Sequence, residues 1–185
     1  MSNDMKQIEI TTSTALWDWL EKNHSSPDSV QLITWKAASP DKYVSQDDVL
    51  DALVAFGWID GRRFKVDDQR TSQLISPRKQ QAWSKTYKER ADMLLAGGRM
   101  HPAGRLAISD SKAAGMWDYY ADVDALVVPD DLGQFIDHSK WESLAPSYRR
   151  NVLRWIDKAK TPATRAKRIT ATCLATASDM KLPQM

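Results

Sequence analysis

The sequence contains a single cysteine, Cys173, in 185 residues. It can therefore form no intrachain disulfide and no cysteine-rich zinc site. Histidine is almost as scarce: His24, His101 and His138 are scattered without metal-ligand spacing, so no metal centre is expected. No stretch approaches the ~20 apolar residues of a membrane span. The opening decapeptide Met1 to Ile10 carries Asp4, Lys6 and Glu9 and lacks the apolar core of a signal peptide. A cytoplasmic location is the expectation. Phosphate loop, nucleophile elbow and dinucleotide fingerprint are all missing, and no cofactor is expected. There is no internal repeat and no low-complexity tract.

What is present is ordinary in bulk: 42% hydrophobic and 27% charged residues, as in a soluble globular chain. A chain of this length buries roughly two-thirds of its unfolded surface and needs no covalent staple. The eight tryptophans are many. Each can bury about 150–250 Å², so several are expected in the core.

Net charge is only +2, but it is unevenly placed. Between Ser147 and Ile169 eight basic residues face one acid, Asp157, which leaves the remainder of the chain at −5. Such asymmetry points either to an anionic partner or to a solvated, internally paired helical face. Arg150, Arg154 and Lys158 are four apart and form a stripe; Arg165 and Arg168 share a face. These five are the candidate nucleic-acid contacts.

The pattern predicts a short amphipathic helix around Leu16, Trp19 and Leu20, capped near Thr12 or Ser13. A buried strand is expected over Val30–Trp35. Ser45 and Asp48 have capping-box spacing for a helix that presents Val49, Leu53 and Phe56 and stops at Gly57. Trp58-Ile59-Asp60-Gly61 reads as a tight connection, Arg62–Val66 and Thr71–Ile75 as strands, and Asp67–Arg70 as their hairpin turn. Ser76-Pro77 reads as a helix entry. That helix would carry Trp83, Tyr87, Leu94 and Leu95 and end at Gly97-Gly98. Beyond it Pro102, Pro129, Pro146 and Pro162 each mark a possible helix start. The expected class is α+β: a small sheet with flanking helices over residues 1–100, then a helical region over 101–185 packed on it as one unit.

Asp60 is the most interesting acid. Burial beside Trp58 and Ile59 would raise its pKa, and Arg62 or Arg78 would lower it. In the plainer reading it accepts backbone hydrogen bonds in its own turn. Arg78 and Lys79 would lie in the first turn of their helix, where free N–H groups attract anions and a positive charge is mildly unfavourable. Arg78 thus calls for an acid such as Asp60, or a ligand. Trp58, Trp83 and Ser84 could line a pocket with Arg78, although tryptophan at helical spacing is more often core. Lys36, just after the strand ending at Trp35, could present an ammonium at a pocket edge. Ser84 has no base visible in the sequence and is not read as a nucleophile.

Several short motifs occur in a characteristic order: Phe56-Gly57-Trp58-Ile59-Asp60-Gly61, Ser76-Pro77-Arg78-Lys79, Trp83-Ser84, Gly98-Arg99-Met100-His101-Pro102-Ala103-Gly104, Ala159-Lys160, Thr164-Arg165 and Lys167-Arg168-Ile169. In this ordered set, from Trp19-Leu20 to Ile169, the chain resembles the YdeI/OmpD-associated family. The first half is also similar to a related group of small α+β proteins of unknown function. The family name links its members to bacteriocin protection and to an outer-membrane porin; the porin link fits poorly with a sequence that shows no export signal. Two departures stand out: Ala55 where relatives commonly have cysteine, and Tyr87 where many have asparagine. The dense, ordered motif set on turns and helix starts leads to the first reading, a non-enzymatic stress- or bacteriocin-tolerance module. Its expected partner is an anionic small molecule or protein surface, bound at Trp58, Asp60, Arg78, Trp83, Ser84 and Lys36. Nucleic-acid binding through the basic helices is the second reading, and an enzyme using Asp60 or Lys36 the third.

Overall fold

The computed structural model describes residues 5–183. The chain forms two compact units, Met1–Asp118 and Tyr119–Met185.

The first unit is built on a four-stranded sheet. Its strands are β1 (Gln7–Glu9), β2 (Val30–Trp35), β3 (Trp58–Lys65) and β4 (Arg70–Pro77), in the order β1-β2-β4-β3. β1 lies parallel to β2; the other pairs are antiparallel. Helix α1 (Ser13–Asn23) is capped by Thr12, whose hydroxyl accepts the Ala15 N–H. Helix α2 (Gln46–Ala55) is capped by Ser45, whose hydroxyl accepts the Asp48 N–H and donates to the Asp48 carboxylate. Gly57 leaves α2 at φ +73°, a left-handed conformation that glycine adopts without penalty. Helices α3 (Lys85–Ala96) and α4 (Pro102–Ala113) complete the unit.

α2 is the hub of this unit, packed on α1, α3, α4 and β3. Val49, Ala52, Leu53, Val54 and Ala55 are all buried, joined in one core by Leu16, Leu20, Leu32, Ile75, Trp58 and Trp83. The two close approaches of α4 to the end of α2 depend on glycine. A Cβ on Gly104 would lie 2.2 Å from the Ala55 carbonyl oxygen and 2.5 Å from Met100 Sδ, and one on Gly57 would lie 2.9 Å from Ala107 Cβ.

Three expectations are corrected. Trp58-Ile59-Asp60-Gly61 is no connection: it begins β3, with Trp58 opposite Pro77 and Asp60 opposite Ile75, and the register shifts between Asp60 and Arg63. Ser76-Pro77 does not open a helix but ends β4, where strand pairing outweighs the local preference of Ser-Pro, and α3 starts only after Ser84. Arg78 and Lys79 are therefore not in a helical first turn. β1 has no counterpart in the sequence reading; three residues are too few to show alternation.

The second unit is helical throughout: α5 (Ala121–Asp124), α6 (Asp130–Gly133), α7 (His138–Ser143), α8 (Pro146–Asp157) and α9 (Pro162–Ala177). Its core is Leu132, Ile136, Trp141, Val152, Leu153, Ile156, Ile169 and Leu182. Pro146 and Pro162 sit at helix starts, where a missing N–H costs nothing. Among the described residues no helix is long and apolar enough to cross a membrane.

Gly104→Ala forces a methyl group into the Ala55 carbonyl and is expected to destabilise the chain by about 1–3 kcal/mol, the usual cost of overpacking. Gly98→Ala, with open space around its Cβ position but φ +67°, is expected to cost about 1 kcal/mol, the strain of a left-handed alanine. Urea denaturation of both variants checks the order; equal stability would contradict it.

Candidate functional site

A buried cation with unmet donors, Arg78, stands where β4 ends. The Arg78 backbone N–H donates to the Gly57 carbonyl at 2.9 Å, which fixes the strand exit. From there the Arg78 side chain lies over the Trp83 indole, its Cζ 3.9 Å from the ring centroid and 5.0 Å from that of Tyr87. One terminal nitrogen, Nη1, donates to the Gln81 carbonyl at 3.1 Å. Nε and Nη2 are buried and make no hydrogen bond among the described residues. Arg78 as a whole is only 9% exposed. Burial pulls its pKa down to about 10, partly offset by the charge of Asp60. It remains a cation at neutral pH, with two donor nitrogens unmet.

Asp60 stands beside it on β3. One carboxylate oxygen accepts the Tyr87 hydroxyl and the other accepts Gln73 Nε2 at 2.7 Å. Gln73 in turn receives Arg63 Nη2 at 3.0 Å. Burial raises the Asp60 pKa; its own backbone, Arg63, Gln73 and Arg78 act in the opposite direction. The simple picture of Asp60 serving its own turn is thus replaced by a side-chain network across two strands and a helix.

Arg78 also lines a cleft of about 500 Å³ between the start of α4 and the end of α2. Phe56, Pro77, Pro102, Leu106 and Ala107 supply apolar walls, with His24, His101 and Asp110 the titratable groups. The imidazoles are 4.6 Å apart, and Phe56 stacks on His101 at 4.6 Å. Their tautomers follow from their neighbours. His24 Nδ1 faces the carbonyls of Leu20 and Glu21 at 3.2 and 3.1 Å and must carry a proton, so Nε2 of the neutral ring is an acceptor. His101 Nδ1 accepts the Ala103 N–H at 3.1 Å as the cap of α4, so its Nε2 is the donor. Among the described residues no group of three or more His, Cys, Asp or Glu is placed to hold a metal ion.

Of the residues singled out from the sequence, Asp60, Arg78 and Trp83 come together. Trp58 is fully buried in the core, its indole N–H donating to the His24 carbonyl at 3.1 Å and its ring edge-on to Trp19. Ser84 precedes α3 without a side-chain capping bond. Lys36 lies outside the cluster, its ammonium tied to the carbonyls of Asp67 and Asp68 at 3.1 and 3.0 Å, where it braces the β3–β4 hairpin. Sequence reasoning missed Gln73 and the two histidines, which only the fold brings into place. Tyr87 was visible as a departure from the family pattern, and it is the hydrogen-bond partner of Asp60.

Four of the five candidate nucleic-acid side chains of the second unit hold partners within it. Arg150 donates to the Asp124 carbonyl, Arg154 is 3.7 Å from the Asp124 carboxylate, and Arg165 grips Asp131 through two nitrogens at 2.6 and 2.9 Å. Arg168 donates to the Trp155 carbonyl and lies over its ring. Lys158 alone of the five has no side-chain partner among the described residues. A groove of about 540 Å³ along α9 is mainly apolar, and its charged groups, Asp131 and Arg165, satisfy each other.

Residues 8–107, more than half of the chain, match the family described as a domain of unknown function, DUF8412. The chain belongs to that family. Residues 125–178 match a second family, described as bacteriocin-protection, YdeI or OmpD-associated. The resemblance read from the ordered motifs is therefore shown for the helical second unit, while the sheet-bearing unit, with the cleft and Arg78, is the DUF8412 domain. No curated protein and no solved structure matches the chain.

The raised pKa of Asp60 has a definite sign. The folded chain holds a proton on Asp60 more tightly than the unfolded chain, whose carboxyl titrates near its ordinary 3.8. The stabilisation this gives is complete below that value and is lost as pH rises through the folded pKa. Asp60→Asn is therefore expected to gain stability relative to the parent chain as pH climbs from 4 towards 7. Urea denaturation of both at stepped pH measures it; a stability difference that does not change with pH would contradict the assignment.

Proposed function

We propose that this protein is a non-enzymatic binding module that takes up a small anionic ligand in the cleft beside Arg78. The observation that carries the reading is the Arg78 side chain itself. A buried guanidinium with two unmet donor nitrogens is costly to maintain, and an anionic ligand reaching it would relieve that cost. The aromatic faces of Trp83 and Tyr87 hold the guanidinium in place. The role in tolerance to stress or bacteriocins is drawn from the second unit, through its match to the bacteriocin-protection family, and a cytoplasmic setting is part of the same proposal.

The geometry supports binding over catalysis at the two residues that an enzyme reading would use. Both carboxylate oxygens of Asp60 are engaged, by Tyr87 and Gln73, and neither is open to take a proton from a substrate. The Lys36 ammonium already donates to two carbonyls. For nucleic acid, four of the five candidate side chains already hold partners within their own unit.

Calorimetric titration of the full chain with a panel of small organic and inorganic anions tests the proposal. Saturable binding by at least one anion is expected. Arg78→Met is expected to weaken it about 10-fold or more, the loss that goes with a charge-assisted hydrogen bond. Arg78→Lys is expected to be weakened as well, because an ammonium cannot reproduce the planar fork. Unchanged affinity in Arg78→Met, or no binding by any anion of the panel, would overturn it.

A further inference from the structure

We infer that the outer face of the first unit's sheet binds single-stranded nucleic acid, with one unpaired base seated against Phe64 in a dip over Ser72 and Arg62 at the backbone phosphate. This surface uses no residue of the Arg78 cleft or of the basic helices, so it stands whether or not the cleft takes an anion.

Side chains alternate between the two faces of a sheet. Val30, Leu32, Ile75 and Trp58 belong to the core shared with the helices. Gln31, Ile33, Ser72, Leu74 and Phe64 therefore lie on the other face. There Gln7 stands opposite Gln31, and Ile33, Ser72 and Phe64 form one row across three strands. A solvated sheet face is ordinarily polar. This one carries Ile33, Leu74 and Phe64, with Val66 just past the end of β3; Phe64 and Val66 are 41% and 43% exposed. Ser72 is the small member of its row, and two strand spacings leave Ile33 and Phe64 roughly 10 Å apart across it. The result is a dip of about 250 Å³ lined by Gln7, Gln31, Ile33, Phe64, Val66 and Ser72.

The lining of this dip suits an unpaired base. Its volume falls below the ~300 Å³ at which small-molecule pockets begin, so it takes one flat group and not a whole enclosed molecule. An exposed phenyl ring offers a stacking face to any base. Beside it the carboxamides of Gln7 and Gln31 carry donors, acceptors and no charge, which fits the edge of a heterocycle. Gln31 Oε1 is buried and makes no hydrogen bond among the described residues, so it lacks a donor that an exocyclic amino group supplies. Charge then favours nucleic acid over an apolar peptide. The run Gly61-Arg62-Arg63-Phe64-Lys65-Val66 flanks the ring with three cations and no acid. Arg63 is held by Gln73, and Lys65 pairs with Asp68 in full solvent, where such a pair is worth little. Arg62 has no hydrogen-bond acceptor among the described residues, and its Cζ lies 5.1 Å from the Phe64 ring centroid. The register shift in β3 brings it there, because Gly61 and Arg62 both stand opposite Leu74. Glu9, in register with Ile33, is already engaged by the Trp35 indole N–H and by Arg70, each at 2.9 Å. Addition of a peptide strand is opposed by the bulge and the charges of β3, which is an edge strand. A duplex stacks its bases inside, so a single strand is the form that meets such a platform.

The test is fluorescence anisotropy of the full chain with labelled single-stranded decamers of A, C and U at about 50 and 200 mM salt. A duplex of the same length and free AMP serve as comparisons. At least one single strand is expected to bind, more weakly at the higher salt, and the duplex about 10-fold more weakly than that strand or worse. Phe64→Ala is expected to weaken strand binding about 10-fold, the loss of one stacked base, while Phe64→Tyr retains it. Arg62→Gln is expected to lower the salt slope by about one, and it decides the matter should Phe64→Ala fail to fold. Lys158→Gln, in the second unit, is expected to bind as the parent chain does. Wild-type affinity in Phe64→Ala, or an unchanged salt slope in Arg62→Gln, overturns the inference. Loss of binding in Lys158→Gln with retention in Phe64→Ala also overturns it and moves the contact to the basic helices. So do silence from every strand at the lower salt, duplex binding as tight as that of the strands, and AMP binding as tight as theirs, which would leave a mononucleotide site.

Discussion

The first unit turns on the carbonyl groups at the end of α2. The Ala55 carbonyl accepts the His101 N–H at 3.1 Å, and two residues later the Gly57 carbonyl accepts the Arg78 N–H at 2.9 Å. Backbone groups that a helix leaves unpaired at its C-terminus thus fasten both the entry to α4 and the exit of β4. Glycine makes the approach possible. Gly104 lets α4 lie against the Ala55 carbonyl, and Gly57 turns left-handed beneath Ala107. The cleft is the space that remains between these fastened ends, so its walls are set by backbone contacts and not by exposed loops. A site framed in this way is pre-organised, which lowers the ordering cost of taking up a ligand.

Within that frame the two buried arginines of the first unit behave in opposite ways. Arg90 is as buried as Arg78, yet it is held by Asp47 and Asp51 from α2 and by the Asp47 carbonyl. It is a strut between α3 and α2. Arg78 has one carbonyl, two aromatic faces and a carboxylate whose oxygens are already engaged by others. Equal burial with unequal satisfaction separates a structural cation from one available to a ligand. Tyr87 matters to both halves of this arrangement, since it holds Asp60 by its hydroxyl and flanks Arg78 by its ring.

Much of the fold was legible because helix signals are local. The caps at Thr12 and Ser45, the stops at Gly57 and Gly97-Gly98, and the prolines at 102, 146 and 162 all act within one turn. The sheet was less legible where pairing decides the conformation. Trp58 to Gly61 looks like a turn and Ser76-Pro77 like a helix start, but the two segments lie opposite each other and extend one another as strands. That displacement moved Arg78 out of a helix terminus, and with it went the dipole argument. The pairing of Arg78 with Trp83 was anticipated, and the structure supplies the contact. Gln73 and the His24–His101 pair were hidden because their neighbours are distant in sequence.

The same contrast explains why charge density is a poor guide in this chain. The +7 segment is its most conspicuous feature, yet Arg150, Arg154, Arg165 and Arg168 are engaged by carbonyls, carboxylates and a ring of their own unit. They hold α8 and α9 to the short helices before them, and a pair already engaged must be broken before an outside anion is met. Arg78, 9% exposed and with Nε and Nη2 unmet among the described residues, carries the stronger demand for one. Whether a donor has an acceptor is a property of the fold that no count of lysine and arginine along the sequence contains.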